Sequence, residues 1–119
     1  MALFRCGGGG PTPVNIGSPD ILSQANMSSG ATRNISVTKK PRYVIFIMTR
    51  TSDTTGRNYA ACYDSTNDAY SYAYYGSDGY AKTQTASGKP SIITTVSAST
   101  VTVANTTNAT CRTHAFIYY

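Results

Sequence analysis

The stretch NYAACYDSTNDAYSYAYYGSDGYAKTQT, residues Asn58 to Thr85, decides the fold of this chain. Within it, Tyr70, Tyr72 and Tyr74 recur at every second residue, the period that places one kind of side chain on one face of a β-strand. The dipeptide Asp78-Gly79 then favours a tight hairpin turn, because glycine tolerates a positive φ and aspartate can hydrogen-bond its own backbone. The stretch therefore predicts strand, turn, strand, tight turn and strand in succession.

The tyrosines of this stretch have two interpretations, and the sequence leaves both open. Tyrosine packs well across a half-buried sheet, so the repeat can be purely structural. Tyrosine also offers a rigid, amphipathic surface with little side-chain entropy to lose, which suits a binding face and in particular the stacking of sugar rings. The candidate ligand-binding residues are Tyr70, Tyr72, Tyr74, Tyr75 and Tyr80, with Asp78 and Asn67 at the rim.

Further strands flank this hairpin on both sides. Residues Tyr43 to Thr49, YVIFIMT, are apolar on both faces and predict the central strand of the core. Three shorter β-branched or alternating runs and a long last strand complete the pattern: Asn34 to Thr38, Ser91 to Val96, Thr100 to Ala104 and Thr110 to Tyr119. Seven or eight short strands separated by turns predict an all-β domain over residues 34–119, either an antiparallel β-sandwich or a compact barrel.

Residues 1–33 differ in composition from the predicted all-β domain. Residues 1–13 combine a short apolar and basic segment with a four-glycine run and two prolines, a composition typical of an extended, flexible arm. Residues 14–33 are turn-rich and predict an irregular connector, with a single helical turn at Ser18 to Leu22. The candidate assembly residues of the arm are Leu3, Phe4, Cys6, Gly7, Gly8, Gly9 and Gly10.

Composition limits the classes of function. A chain of 119 residues is one domain, and its 13% of charged residues is well below the usual quarter or so. The net charge is +5, but the basic residues are spread along the chain, apart from Lys39, Lys40 and Arg42 beside Tyr43. Nucleic-acid binding needs a clustered basic stripe, so a sheet edge guarded by lysine is the favoured interpretation of this cluster.

The residues that could carry catalysis are few. His114 is the only histidine, and Cys111, three residues away on the same predicted strand, should point to the opposite face. Asp64 and Asp68 could form a carboxylate pair, but a turn explains them as well. We therefore expect no enzymatic activity, no metal site and no cofactor.

The three cysteines, Cys6, Cys62 and Cys111, are an odd number without metal-ligand spacing. At least one is therefore free or paired between chains, and no disulfide framework can be assigned from sequence. The N-terminus lacks the apolar core of a signal peptide, and no run approaches the length of a membrane span.

Two segments carry a resemblance to a known group of proteins. The opening MALFRCGGGG, followed by the step from Lys39 and Lys40 into the aliphatic strand and by an all-β remainder, resembles small proteins encoded among the tail and fibre genes of phages and prophages of Gram-positive bacteria. The resemblance implies a virion structural protein that is assembled in the host cytoplasm with other virion proteins. It also implies a homo-oligomer, with a trimer favoured, that can contact a host-surface glycan. Two alternatives remain: an extracellular fibre subunit that polymerises through its N-terminal arm, and a nucleic-acid-binding β-domain.

Overall fold

A computed structural model describes residues 17–51, 58–75 and 81–119. These residues form an all-β structure without helices, and so none of them belongs to a helix that could cross a membrane. The nine strands are β1 (Ile21–Met27), β2 (Thr32–Ser36), β3 (Tyr43–Arg50), β4 (Asn58–Asp64), β5 (Ala69–Tyr75), β6 (Ala81–Ser87), β7 (Ile93–Val96), β8 (Thr100–Ala104) and β9 (Cys111–Tyr118).

The strands form two antiparallel sheets. The larger sheet has the order β1-β9-β3-β4-β5-β6, and the smaller has the order β2-β8-β7. The predicted all-β class and the central position of β3 are confirmed, because β3 pairs with β9 on one side and with β4 on the other. The succession of three strands over residues 58–87 is confirmed as well, whereas the predicted turn at Asp78-Gly79 lies outside the described residues.

The prediction for residues 14–33 is wrong over the segment that forms β1. Ile21 to Met27 is a strand and not part of an irregular connector, and the helical turn expected at Ser18 to Leu22 is absent. The strand pairs along its whole length with β9, from Ile21 opposite Ile117 to Met27 opposite Cys111. Pairing with a strand some 90 residues away along the chain outweighs the weak local preference for an irregular structure. No local sequence pattern reveals so distant a pairing partner.

The hydrophobic core lies between the two sheets. Val44, Phe46 and Met48 of β3 are fully buried and contact Val101 and Val103 of the smaller sheet within one cluster. Strand β9 places Cys111, Ala115 and Ile117 in the same cluster, whereas Arg112, His114 and Phe116 between them are exposed or half-buried. This alternation defines an inner face of the larger sheet, which points toward the smaller sheet, and an outer face, which points away from it.

The buried side chain of Asn105 connects two loops of the domain. Asn105 is 1% exposed, and its amide nitrogen donates to the carbonyl oxygens of Met27 at 2.8 Å, Ser28 at 3.2 Å and Ala109 at 2.9 Å. Its side-chain oxygen accepts from the backbone N–H and the hydroxyl of Thr107 at 3.0 and 2.7 Å. Asn105 therefore links the turn after β1 to the loop between β8 and β9.

The smaller sheet covers only part of the larger one. On the inner face, exposure rises from the fully buried residues of β3 through Tyr63 of β4, which is 4% exposed, to half-buried Tyr72 of β5 and exposed Gln84 of β6. Three strands cannot cover six, so β5 and β6 extend beyond the core. This extension leaves the inner face of β5 only half-buried.

Candidate functional site

Four tyrosines meet on the part of the inner face that the smaller sheet leaves open. Tyr59 of β4 lies opposite Tyr74 of β5, and buried Tyr63 lies opposite Tyr70. Alternation along β5 places Tyr72 on the same face, between Tyr70 and Tyr74. We call Tyr59, Tyr70, Tyr72 and Tyr74 the tyrosine face; all four are half-buried.

The rings of the tyrosine face contact one another. Tyr59 stacks on Tyr74 with a centroid distance of 6.1 Å and an interplanar angle of 12°. Tyr72 is tilted against both, with centroid distances of 6.0 Å to Tyr59 and 5.4 Å to Tyr74. Aromatic pairs at these separations attract one another beyond simple area burial, so the rings form a preorganised surface and lose little freedom when a ligand binds.

The hydroxyl at the centre of this surface is neutral over the physiological range. Burial, followed by the electrostatic effect of the neighbouring Tyr59, Tyr74 and Tyr70, raises the pKa of Tyr72 to about 12. A protonated phenol both donates and accepts a hydrogen bond. The tyrosine face can therefore combine ring stacking with hydrogen bonds to hydroxyl groups, the two contacts that a sugar offers.

Strand β6 adds polar groups beside the rings. Gln84 lies opposite Tyr72 and Lys82 lies opposite Tyr74, and both side chains are exposed. These two residues and Tyr59 are not among the predicted site residues, because the alternation along a single strand does not identify its cross-strand partners. The hairpin registers could have identified them, because counting outward from each turn gives the cross-strand partners of the tyrosines.

The structure separates the candidate binding residues. Tyr70, Tyr72 and Tyr74 come together on the tyrosine face, as their spacing predicts. Tyr75 is the last residue of β5 and pairs with Ala81 of β6. Asn67 lies in the turn between β4 and β5, where it lines a cleft together with Cys62, Ser71 and Tyr70. Three sets lie outside the described residues: Asp78, Tyr80, and the arm residues Leu3, Phe4, Cys6 and Gly7 to Gly10.

The two candidate carboxylates serve the turn between β4 and β5. Asp64 is buried and accepts hydrogen bonds from the backbone N–H of Thr66 at 3.0 Å and from the side-chain amide of Asn67 at 2.7 Å. Asp68 has a positive φ of 47° and accepts from the hydroxyl of Tyr63 at 2.5 Å. Burial, followed by this hydrogen bond, raises the pKa of Tyr63 to about 12. The turn interpretation of the two aspartates is therefore confirmed.

The other chemically reactive side chains lie on opposite faces of the larger sheet. Cys111 is a buried free thiol in the core between the sheets. His114 lies on the outer face with its ring stacked on Phe116 at 6.4 Å, so the predicted separation of Cys111 from His114 is confirmed. The described residues contain no group of three or more histidine, cysteine or acidic side chains placed to hold a metal ion.

The basic cluster does not guard a sheet edge. Lys39 and Lys40 lie in the loop between β2 and β3, whereas the edge strands are β1 and β6 in one sheet and β2 and β7 in the other. Lys39 lies over the ring of Tyr119 at 5.2 Å, and Arg42 lies over the ring of Tyr43 at 5.0 Å. The edge interpretation is therefore wrong, because the loop and not a strand carries these charges.

Comparison of the chain with protein-family models, with curated proteins and with solved structures finds no match. The class of the protein consequently rests on its own architecture. It is an all-β protein of two antiparallel sheets with an open aromatic face.

Proposed function

We propose that the chain is a β-sandwich virion structural protein, associated with a phage tail or fibre, that assembles with copies of itself and contacts carbohydrate on the host surface. The tyrosine face carries this proposal. It is preorganised by ring contacts of 5.4 to 6.1 Å, and the exposed amide of Gln84 lies beside it. Stacking rings with a few polar groups nearby are the chemistry that recognises a sugar ring and its hydroxyls.

The virion part of the proposal rests on the N-terminal resemblance and on composition. A low content of charged residues and an all-β domain suit a particle protein that must pack against its neighbours. No enzymatic step is part of the proposal. Its partners are further copies of the chain, a trimer being favoured, and other virion proteins.

The test of carbohydrate contact compares two tyrosines of the same sheet on opposite faces. Tyr74→Ala removes a ring from the tyrosine face, and Tyr43→Ala, the control, removes a half-buried ring from the outer face. The probe is immobilised cell-wall polysaccharide from a Gram-positive bacterium, with binding measured by surface plasmon resonance. A stacking ring contributes about 0.5–1.5 kcal/mol, so Tyr74→Ala should weaken binding about 2- to 12-fold while the control leaves it unchanged.

Two results would contradict carbohydrate binding by the tyrosine face. Equal binding by Tyr74→Ala and the unaltered chain, with the fold retained by circular dichroism, would leave the tyrosine face as packing only. Binding of a single-stranded oligonucleotide that weakens steeply with salt would favour the nucleic-acid alternative, because Lys82 lies beside the rings.

Light scattering coupled to size exclusion tests self-assembly. The full chain should give one discrete oligomer, and a chain that begins at Pro13 should keep its folded domain. Very large assemblies that dissociate to monomers after this truncation would favour the alternative of a fibre subunit that polymerises through the arm.

A further inference from the structure

The outer face of the larger sheet carries an apolar cluster. Ile45, Cys62 and Tyr118 are only 3%, 5% and 9% exposed, and half-buried Tyr43, Ile47 and Phe116 pack against them. We call these six residues the outer cluster. The smaller sheet does not bury them, because it packs on the inner face, and no other described strand lies over the outer face. No strand among the described residues therefore accounts for the burial of the outer cluster.

The first described residues of the chain lie beside the outer cluster. The hydroxyl of Tyr118, a member of the outer cluster, donates a hydrogen bond to the carbonyl oxygen of Gly17 at 3.2 Å. Three residues further on, the N–H of Asp20 donates to the carbonyl oxygen of Ile117 at 2.9 Å. Gly17, the first described residue, therefore lies beside the outer cluster, and the sequence before it includes the apolar residues Leu3 and Phe4.

The cysteines supply an independent observation. Cys62 is disulfide-bonded, and Cys111 is a free thiol on the inner face. The chain has three cysteines, so within one chain only Cys6 is left as the partner of Cys62.

We propose that residues 1–16 fold back over the outer cluster of their own domain and are held there by a disulfide between Cys6 and Cys62. The reach is ample, since the eleven residues from Cys6 to Gly17 can span up to about 36 Å. The distance from β9 across β3 to β4 is two strand spacings, about 10 Å. The arm is consequently part of the folded domain in its oxidised form and not a free tether.

The surface beside Cys62 suits a glycine-rich segment. It carries two adjoining clefts of about 360 and 300 Å³ that share Cys62, Ser71 and Thr85. Ala60 and Ala73 line the second cleft, and apart from Tyr72 and Gln84 all of its lining residues are small. Glycine allows close approach of one backbone to another surface, and Gly7 to Gly10 directly follow Cys6.

The bond requires an oxidant, for which we name a small-molecule disulfide such as oxidised glutathione. The thiolate of one cysteine attacks this disulfide, forms a mixed disulfide and releases one glutathione. The second cysteine thiolate attacks the protein sulfur of the mixed disulfide and releases the other glutathione. The two protein thiols lose two protons and two electrons, and the oxidant becomes two glutathione molecules. The bond should form after the protein leaves a reducing cytoplasm.

The experiment treats the reduced full-length chain with oxidised glutathione and digests it with trypsin under non-reducing conditions. Mass spectrometry should find the peptide of residues 6–33 joined to that of residues 58–82. An arm on the same chain has an effective concentration in the millimolar range, so at about 10 μM protein the bond within one chain should be favoured about 100-fold over a bond between chains. Cys111→Ser is the matched control and should leave the joined peptides unchanged.

Cys6→Ser tests the cover of the outer cluster without altering the described sheet. The variant should bind more 8-anilinonaphthalene-1-sulfonate than the oxidised chain, because its arm is no longer tethered. Glutathione adducts on Cys6 and Cys62, or a bond between the Cys6 residues of two chains, would overturn the proposal. Cys6→Ser should bind cell-wall polysaccharide as the unaltered chain does, since the tyrosine face is on the other side of the sheet. A failure of this proposal is thus distinguishable from a failure of the proposed function.

Discussion

Asn105→Ala is the substitution whose effect on folding the structure defines most closely. It removes an amide nitrogen that donates to three backbone carbonyl groups and an oxygen that accepts from Thr107. The bond to Met27 is buried and the other two to carbonyl groups are partly buried. A buried acceptor left without a partner costs about 1–3 kcal/mol and a partly buried bond about 1 kcal/mol. We therefore expect the free energy of unfolding to fall by about 3–5 kcal/mol.

Urea unfolding followed by far-ultraviolet circular dichroism measures this loss. Thermal unfolding should show a Tm lower by at least about 12 °C, since each kcal/mol shifts Tm by about 4–8 °C in a domain of this size. The control is Asn108→Ala, which removes one exposed hydrogen bond from Arg50 at 2.9 Å and should change the free energy of unfolding by less than about 0.5 kcal/mol. A loss below about 1 kcal/mol for Asn105→Ala would refute the reasoning, because the amide would then not be holding these carbonyl groups.

Three further predictions concern stability. The pKa values of Tyr63 and Tyr72 are raised to about 12 from 10.0, so their contribution to stability should be fully present below pH 10 and lost between about pH 10 and 12. Urea midpoints measured across this window should fall, and fall less for Tyr72→Phe; a flat profile would contradict the assignment. Arg33→Met should raise the free energy of unfolding by about 1 kcal/mol, because Arg33 has two buried nitrogens with no partner among the described residues and burial lowers its pKa. Exposed Arg112→Met is its control and should show no change. Phe46→Ala, in the fully buried centre of β3, should cost about 3–5 kcal/mol in the same urea assay, and a loss below about 1 kcal/mol would contradict a close-packed core.

The elements that could be predicted from the sequence are those with a local pattern. The alternation of Tyr70, Tyr72 and Tyr74 predicted one shared face, and the apolar run from Tyr43 predicted the central strand. The placement of Cys111 and His114 on opposite faces of β9 likewise followed from period two. These predictions succeeded because side-chain direction in a strand depends only on the position of a residue along that strand.

The order of the strands in each sheet, and the extent to which the smaller sheet covers the larger one, could not be predicted from the sequence. Strand β1 forms because it pairs with β9. The residues of β1 alone did not predict a strand. The tyrosine face is open because the smaller sheet has three strands and the larger has six. The role of Asn105 depends on Met27, which is 78 positions away along the chain. Contacts between distant segments are set by the free energy of the whole packed domain, so no local pattern of residues contains them.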